Sequence, residues 1–125
     1  MDIDVLVERL AAAQSPDRAL DTDIARVVGW KRTVETYIDD KSGERRNRTL
    51  WLVPNGKDVA KVPAYTGRFE DALHLVSILA PGCVGACRWD NGRGWATIGE
   101  TGRLVEASSP IIALCIAALL SKPIQ

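Results

Sequence analysis

Apolar residues recur at the three-and-four spacing of a helix over the first thirty positions, then switch to alternation, then return to helical spacing. Leu6, Leu10 and Ala13 form one stripe, which predicts a helix over about Asp4 to Ala13. "SPDR" predicts a restart: Ser15 can cap the free amides, and Pro16 suits a first helical position, where the missing N–H would be unpaired anyway. Leu20, Ile24, Val27 and Val28 continue the stripe, Gly29 stops it, and Trp30 is expected to fold back on the helix end.

From Arg32 to Val53 the period becomes that of a strand. "TVETYI" and "TLWLV" are β-branched and aromatic, and "DDKSGERRNR" between them is polar and turn-rich, so a hairpin with a long tip is expected. "PNGKDVAKVP" reads as a loop punctuated by Pro54, Asn55-Gly56 and Pro63. A third helix over Phe69 to Ala80 would bury Phe69, Ala72, Leu73, Val76 and Leu79, with Glu70, His74 and Ser77 on its polar side and Pro81-Gly82 ending it.

"CRWDNGRGWAT" predicts a second hairpin. With Asn91 to Gly94 as its loop, Cys87, Trp89, Ala96 and Ile98 share a core face, while Arg88, Asp90, Trp95 and Thr97 share the other. A two-residue Asn91-Gly92 turn would give another register and reassign the faces. After a Thr101-Gly102 turn, Arg103 to Ala107 adds a third strand. Ser108-Ser109-Pro110 then offers a cap and first-turn proline for a last helix, Ile111 to Ser121.

Together these elements predict an α+β fold: a small antiparallel sheet, built from two hairpin regions and a third strand, sandwiched by about four helices. At 125 residues the chain fits a single domain, 1–125, with an elaborated basic hairpin at 31–62. The last helix is apolar nearly all round, so it must be covered on more than one side. In so short a chain a second subunit is expected to supply that cover, giving a homo-oligomer through Ile111 to Leu120.

Hydrophobic residues make up 46% and charged residues 26%, which fits a packed core. Sixteen basic residues balance sixteen acidic ones, and a neutral chain argues against general nucleic-acid binding. The balance is local, however: Lys31, Arg32, Lys41, Arg45, Arg46 and Arg48 outnumber Glu35, Asp39, Asp40 and Glu44 in the first hairpin. The opening "MDIDVLVERL" lacks the positive flank of a secretory signal, and Pro110 to Leu120 is too short to cross a bilayer. With three cysteines, the expectation is a cytoplasmic protein with no membrane contact.

Enzymatic chemistry is disfavoured. His74, the one histidine, sits four residues after Glu70 as a surface pair would. Cys83 and Cys87 are spaced C-x3-C, unlike common metal knuckles, and Cys115 reads as a small core residue. "NGRG" and "PGCVG" lack the strand-to-helix context and lysine of a phosphate loop. No catalytic residue, metal or cofactor is therefore assigned. Trp95 is the unusual residue, an aromatic on the wet side beside Arg88 and near Arg93. It could stack on a base while the arginines hold phosphate, or Arg88 could simply stack on it across the strand.

"SPDRALDTDIARVVGW", "PAYTGRFEDALHLV", "GWATIGE" and "ASSPIIALCIAALLSK" together resemble the small phage and prophage proteins of the phage ABA sandwich type, over roughly two thirds of the chain. The resemblance implies a small sheet between helices and a phage origin, and it carries no catalytic residue. Residues 31–62 match nothing in it. Three functions are compatible. The first is a counter-defence sponge for a small cyclic nucleotide, with Trp95 and Tyr65 stacking and Arg88, Arg93 and Arg68 on phosphate, in clefts between subunits. The second is an inhibitor of a host defence protein, as an anti-CRISPR is, acting through Lys41, Arg45, Arg46 and Arg48. The third is a virion accessory role.

Overall fold

A computed structural model describes residues 2–99 and 102–121. Helix α1 (Ile3–Ala12) buries Leu6 and Leu10, as the stripe predicts. Helix α2 (Arg18–Val27) starts later than expected. Its cap is Asp17 rather than Ser15, because the Asp17 carboxylate accepts from the amides of Ala19 (2.8 Å) and Leu20 (3.4 Å). Gly29 closes α2 at a φ of 104°, and the Trp30 amide turns back to the Ala25 carbonyl at 3.0 Å.

Strands β1 (Lys31–Ile38) and β2 (Arg45–Leu52) form the first hairpin, from Lys31 opposite Leu52 to Ile38 opposite Arg45. Helix α3 (Phe69–Leu79) follows, then β3 (Gly85–Asp90), β4 (Arg93–Ile98), β5 (Val105–Ala107) and α4 (Pro110–Leu120). The chain is α+β, as expected. Its strands nonetheless divide into two separate antiparallel sheets, β1-β2 and β3-β4-β5. The expected turn before β5 includes Thr101, outside the described residues.

Helix α4 organises the body. It lies on β3, β4 and β5 and packs against α1 and α3, which together leave Ile112 to Leu119 buried. Ser109 caps it by accepting from the Ile112 amide at 3.1 Å. The chain's own elements thus cover the apolar helix, so that its buried face requires no second subunit. Only Leu120, at its end, is substantially exposed. Close approach at the helix start needs Gly94, since a Cβ there would overlap the backbone of Ser109 and Pro110.

Helix α3 buries Ala72 and Leu79 and half-buries Val76 as expected, but its stripe is rotated away from Phe69 and Leu73. Ala72, Leu75 and Leu79 face the core, while Phe69 and Leu73 are 44% and 46% exposed. Apolar residues occupy two overlapping arcs of this helix, and docking on α4 selects one.

Asp21 is buried and joins distant segments. One carboxylate oxygen accepts from the Thr66 amide (2.8 Å) and hydroxyl (2.7 Å), and the other meets Arg18 at 2.9 Å. The Thr66 hydroxyl accepts in turn from the Asp17 amide at 2.9 Å. A buried carboxylate is tolerated here because hydrogen bonds and a guanidinium replace its water.

Candidate functional site

The two hairpins present their side chains in different ways. In the second, Asn91 (φ 48°) and Gly92 (φ 73°) make the two-residue turn that suits strand twist. Arg88 therefore pairs with Trp95 and Trp89 with Gly94, a shift of two residues from the four-residue-loop register. A shift of two keeps every side chain on its face, so the turn does not reassign the faces. Gly94, Ala96 and Ile98 are buried toward α4, and Trp95 and Thr97 lie on the outer side. Trp89 shares the inner side but sits on the edge strand beyond the helix, and is 75% exposed.

Arg88 lies over the Trp95 ring at 4.2 Å from its centroid. Arg93 is held by Glu106 on β5 at 2.9 Å. Both arginines thus have partners within the chain, and the depression bounded by Arg88, Trp95 and Leu104 holds only about 80 Å³. Tyr65 does not join them. It is fully buried, so it has no face to offer a base. Burial pushes its phenol up to about 12; the neighbouring Trp30 indole opposes this rise and Asp71 adds to it. Among the described residues its hydroxyl has no hydrogen bond of good geometry. Arg68 lies elsewhere, bordering a separate cleft with Arg18, Lys61 and Asp71. The five residues assigned to a nucleotide therefore fall in three places.

The first hairpin stands apart. Beyond its base, its strands pair with each other and, among the described residues, make no substantial packing on another helix or sheet. The half-buried Trp51 fastens the base to the core, with Arg26 over its ring at 5.7 Å. The basic residues expected at the tip are in part strand residues: Arg45, Arg46 and Arg48 all lie in β2, and Lys41 alone stays in the tip. The tip is shaped by Asp39, whose carboxylate accepts from the Lys41 amide at 2.8 Å and meets Arg46 at 3.1 Å.

The register divides the ribbon into two unlike faces. On one face lie Lys31, Thr33, Glu35 and Tyr37 with Leu52, Leu50, Arg48 and Arg46. Arg48 meets Glu35 at 2.6 Å and lies over Tyr37, while Arg46 is shared by Asp39 and Glu44. On the other lie Arg32, Val34, Thr36 and Ile38 with Trp51, Thr49, Asn47 and Arg45. This second face carries no acid. Arg32 and Arg45 have no acidic partner among the described residues, and Val34 and Ile38 are 54% and 66% exposed. The partner-binding residues expected from the sequence, Lys41, Arg45, Arg46 and Arg48, include Arg45 of this face but not Arg32, Val34 or Ile38. Alternation in "KRTVETYI" was the signal that could have found them.

Other chemistry has little to build on. His74 is exposed on α3. Cys83 is exposed, Cys87 half-buried and Cys115 buried, its thiol donating to the Tyr65 carbonyl at 3.1 Å and pushed up to about 12 by burial. Among the described residues no three His, Cys, Asp or Glu side chains gather to hold a metal ion, and no helix is long and apolar enough to cross a membrane. No family model matches the chain, and neither a curated protein nor a solved structure shows significant similarity to it.

Proposed function

We propose that this chain is a protein-binding module whose working part is the β1–β2 hairpin, joined at its base through Trp51 to a body that packs its own core. One observation carries the reading: a two-stranded ribbon keeps Val34 and Ile38 in water on a face whose two arginines have no acidic partner among the described residues. A lone two-stranded hairpin is marginally stable in water, so a partner that buries such a face also stabilises it. Arg32 and Ile38 lie six positions apart on β1, so the two cations frame the apolar residues over roughly 20 Å. The partner face is accordingly an acidic protein surface with an apolar centre. Nucleic acid fits less well, because aliphatic Val34 and Ile38 give bases nothing to stack on. The resemblance to phage proteins directs the search to host defence proteins, as an inhibitor of the anti-CRISPR kind would require.

The nucleotide-sponge reading has less behind it, since Tyr65 is buried and Arg88 and Arg93 already have partners. The virion accessory reading has no particular residue in its favour.

The test is affinity capture from lysate of cells in which the chain acts, using wild type, Arg32→Glu/Arg45→Glu, Arg46→Glu/Arg48→Glu and a chain in which residues 34–49 are replaced by Asn-Gly. Asn-Gly closes the ribbon at the Thr33–Leu50 pair. A protein held by wild type, lost with the shortened ribbon and with the first double variant, and retained by the second supports the reading. Equal capture by the shortened chain, or a thermal shift with a cyclic nucleotide that Trp95→Ala abolishes, overturns it.

A further inference from the structure

The cleft of about 360 Å³ bordered by Arg18, Lys61, Val62, Pro63, Ala64, Arg68 and Asp71 has no part in the hairpin's proposed role. Three cations reach it from three segments: the start of α2, the loop before α3, and the residue preceding α3. They are not equivalent. The Arg18 guanidinium is pinned by three hydrogen bonds, to Asp21 (2.9 Å), the Pro63 carbonyl (3.1 Å) and the Val62 carbonyl (2.9 Å). A guanidinium has five N–H groups, so two remain after these three bonds. They are held in fixed directions, because the chain on both sides of the cleft is fastened. The Asp21–Thr66 bonds lock α2 to the loop, and Asp71 fixes the loop to α3 by accepting from the Ala64 amide at 2.8 Å.

Lys61 and Arg68 are exposed. Among the described residues Lys61 has no acidic partner, and Arg68 has only a long contact with Glu70 at 3.4 Å. Asp21 offsets the charge of Arg18, while Asp71 at the margin and the exposed Glu70 beside Arg68 stand against Lys61 and Arg68. With its charges so nearly balanced, the cleft suits one small anionic group held by directed donors and not a polyphosphate. A tetrahedral oxyanion can take the two free Arg18 donors on separate oxygens and leave others for Lys61 and Arg68.

From this arrangement we infer that the cleft is a binding site for a phosphate group of a small molecule, with Arg18 as the fixed donor and Lys61 and Arg68 as mobile clamps. The site depends neither on the hairpin nor on a second subunit.

The test is a titration of ¹⁵N-labelled full chain with inorganic phosphate, with acetate and sodium chloride at matched ionic strength, followed by NMR. Saturable shifts are expected at the Arg18 side-chain Nε–H and at the Lys61 and Arg68 amides, with none at Arg32 or Arg45. Lys61→Ala and Arg68→Ala change exposed residues, and each is expected to weaken phosphate binding by about tenfold or more. Three results would overturn the inference: equal shifts with chloride, binding of acetate as tight as phosphate, or both variants titrating like wild type.

Discussion

The chain contains two antiparallel hairpins of similar make, each with arginines and an exposed apolar side chain, and their surroundings set them apart. In β3–β4 the inner residues Gly94, Ala96 and Ile98 meet α4, a third strand joins on the far side, and the arginines are matched by Trp95 and Glu106. In β1–β2, among the described residues, the strands have only each other beyond the base; one face ties Arg46 and Arg48 to acids, and the opposite face leaves Arg32 and Arg45 without one beside Val34 and Ile38. Similar local patterns thus make a piece of core in one place and a projecting surface in the other. Among the described residues, the helix that covers the first has no counterpart on the second.

Substitutions should separate the two most sharply where backbone meets backbone. Gly94→Ala drives a methyl into Ser109 and Pro110, neither of which can yield without moving α4. It is expected to cost at least about 3 kcal/mol in urea denaturation. In the tip, Gly43→Ala meets nothing within 4 Å and carries only the strain of a φ of 71°, about 1–2 kcal/mol and confined to the ribbon. Next come the apolar pairs. Ile116→Ala in buried α4 should lose roughly 2–5 kcal/mol of stability, whereas Ile38→Ala should lose less than about 0.5 kcal/mol.

A third, smaller difference concerns pH. Cys115 is raised from 9.0 to about 12 by burial, with the Asp21 charge adding to the shift. The unfolded chain releases this proton first, so the contribution is complete below about pH 9 and declines as pH rises toward 12. Denaturation midpoints followed over that range should fall, and Cys115→Ala should flatten the fall. The Tyr65 phenol acts in the same direction and leaves a residual slope. Smallest of all is Arg93→Ala, which loses an exposed pair with Glu106 and should cost no more than about 1 kcal/mol.

Much of the body is legible in the order of its residues. Leu6 and Leu10 mark α1, Gly29 ends α2, and Ser109-Pro110 starts α4, because caps and periodicity act over a few residues. What escapes is whatever depends on distant neighbours. The α3 sequence has two apolar arcs and cannot say that α4 will choose Leu75 over Leu73. An apolar α4 announces that it is covered, but its sequence does not name α1, α3 and the sheet as the cover. Asp17 displaced Ser15 as the cap of α2 with help from Thr66, far along the chain. The site is harder still. Tyr65 and Trp95 look alike as exposed aromatics until the fold buries one, and the matching of Arg48 but not Arg45 follows from the register of β1 and β2.

Native-state hydrogen exchange, resolved amide by amide on the isolated protein, tests the account's main claim that the ribbon lies outside the cooperative body. Amides of β4 and α4 are predicted to exchange only through global unfolding, while those paired between Val34 and Thr49 exchange far faster and with little sensitivity to Ile116→Ala. Equal protection of the two hairpins, lost together in that variant, would mean that β1–β2 is held by the same core and would contradict the account.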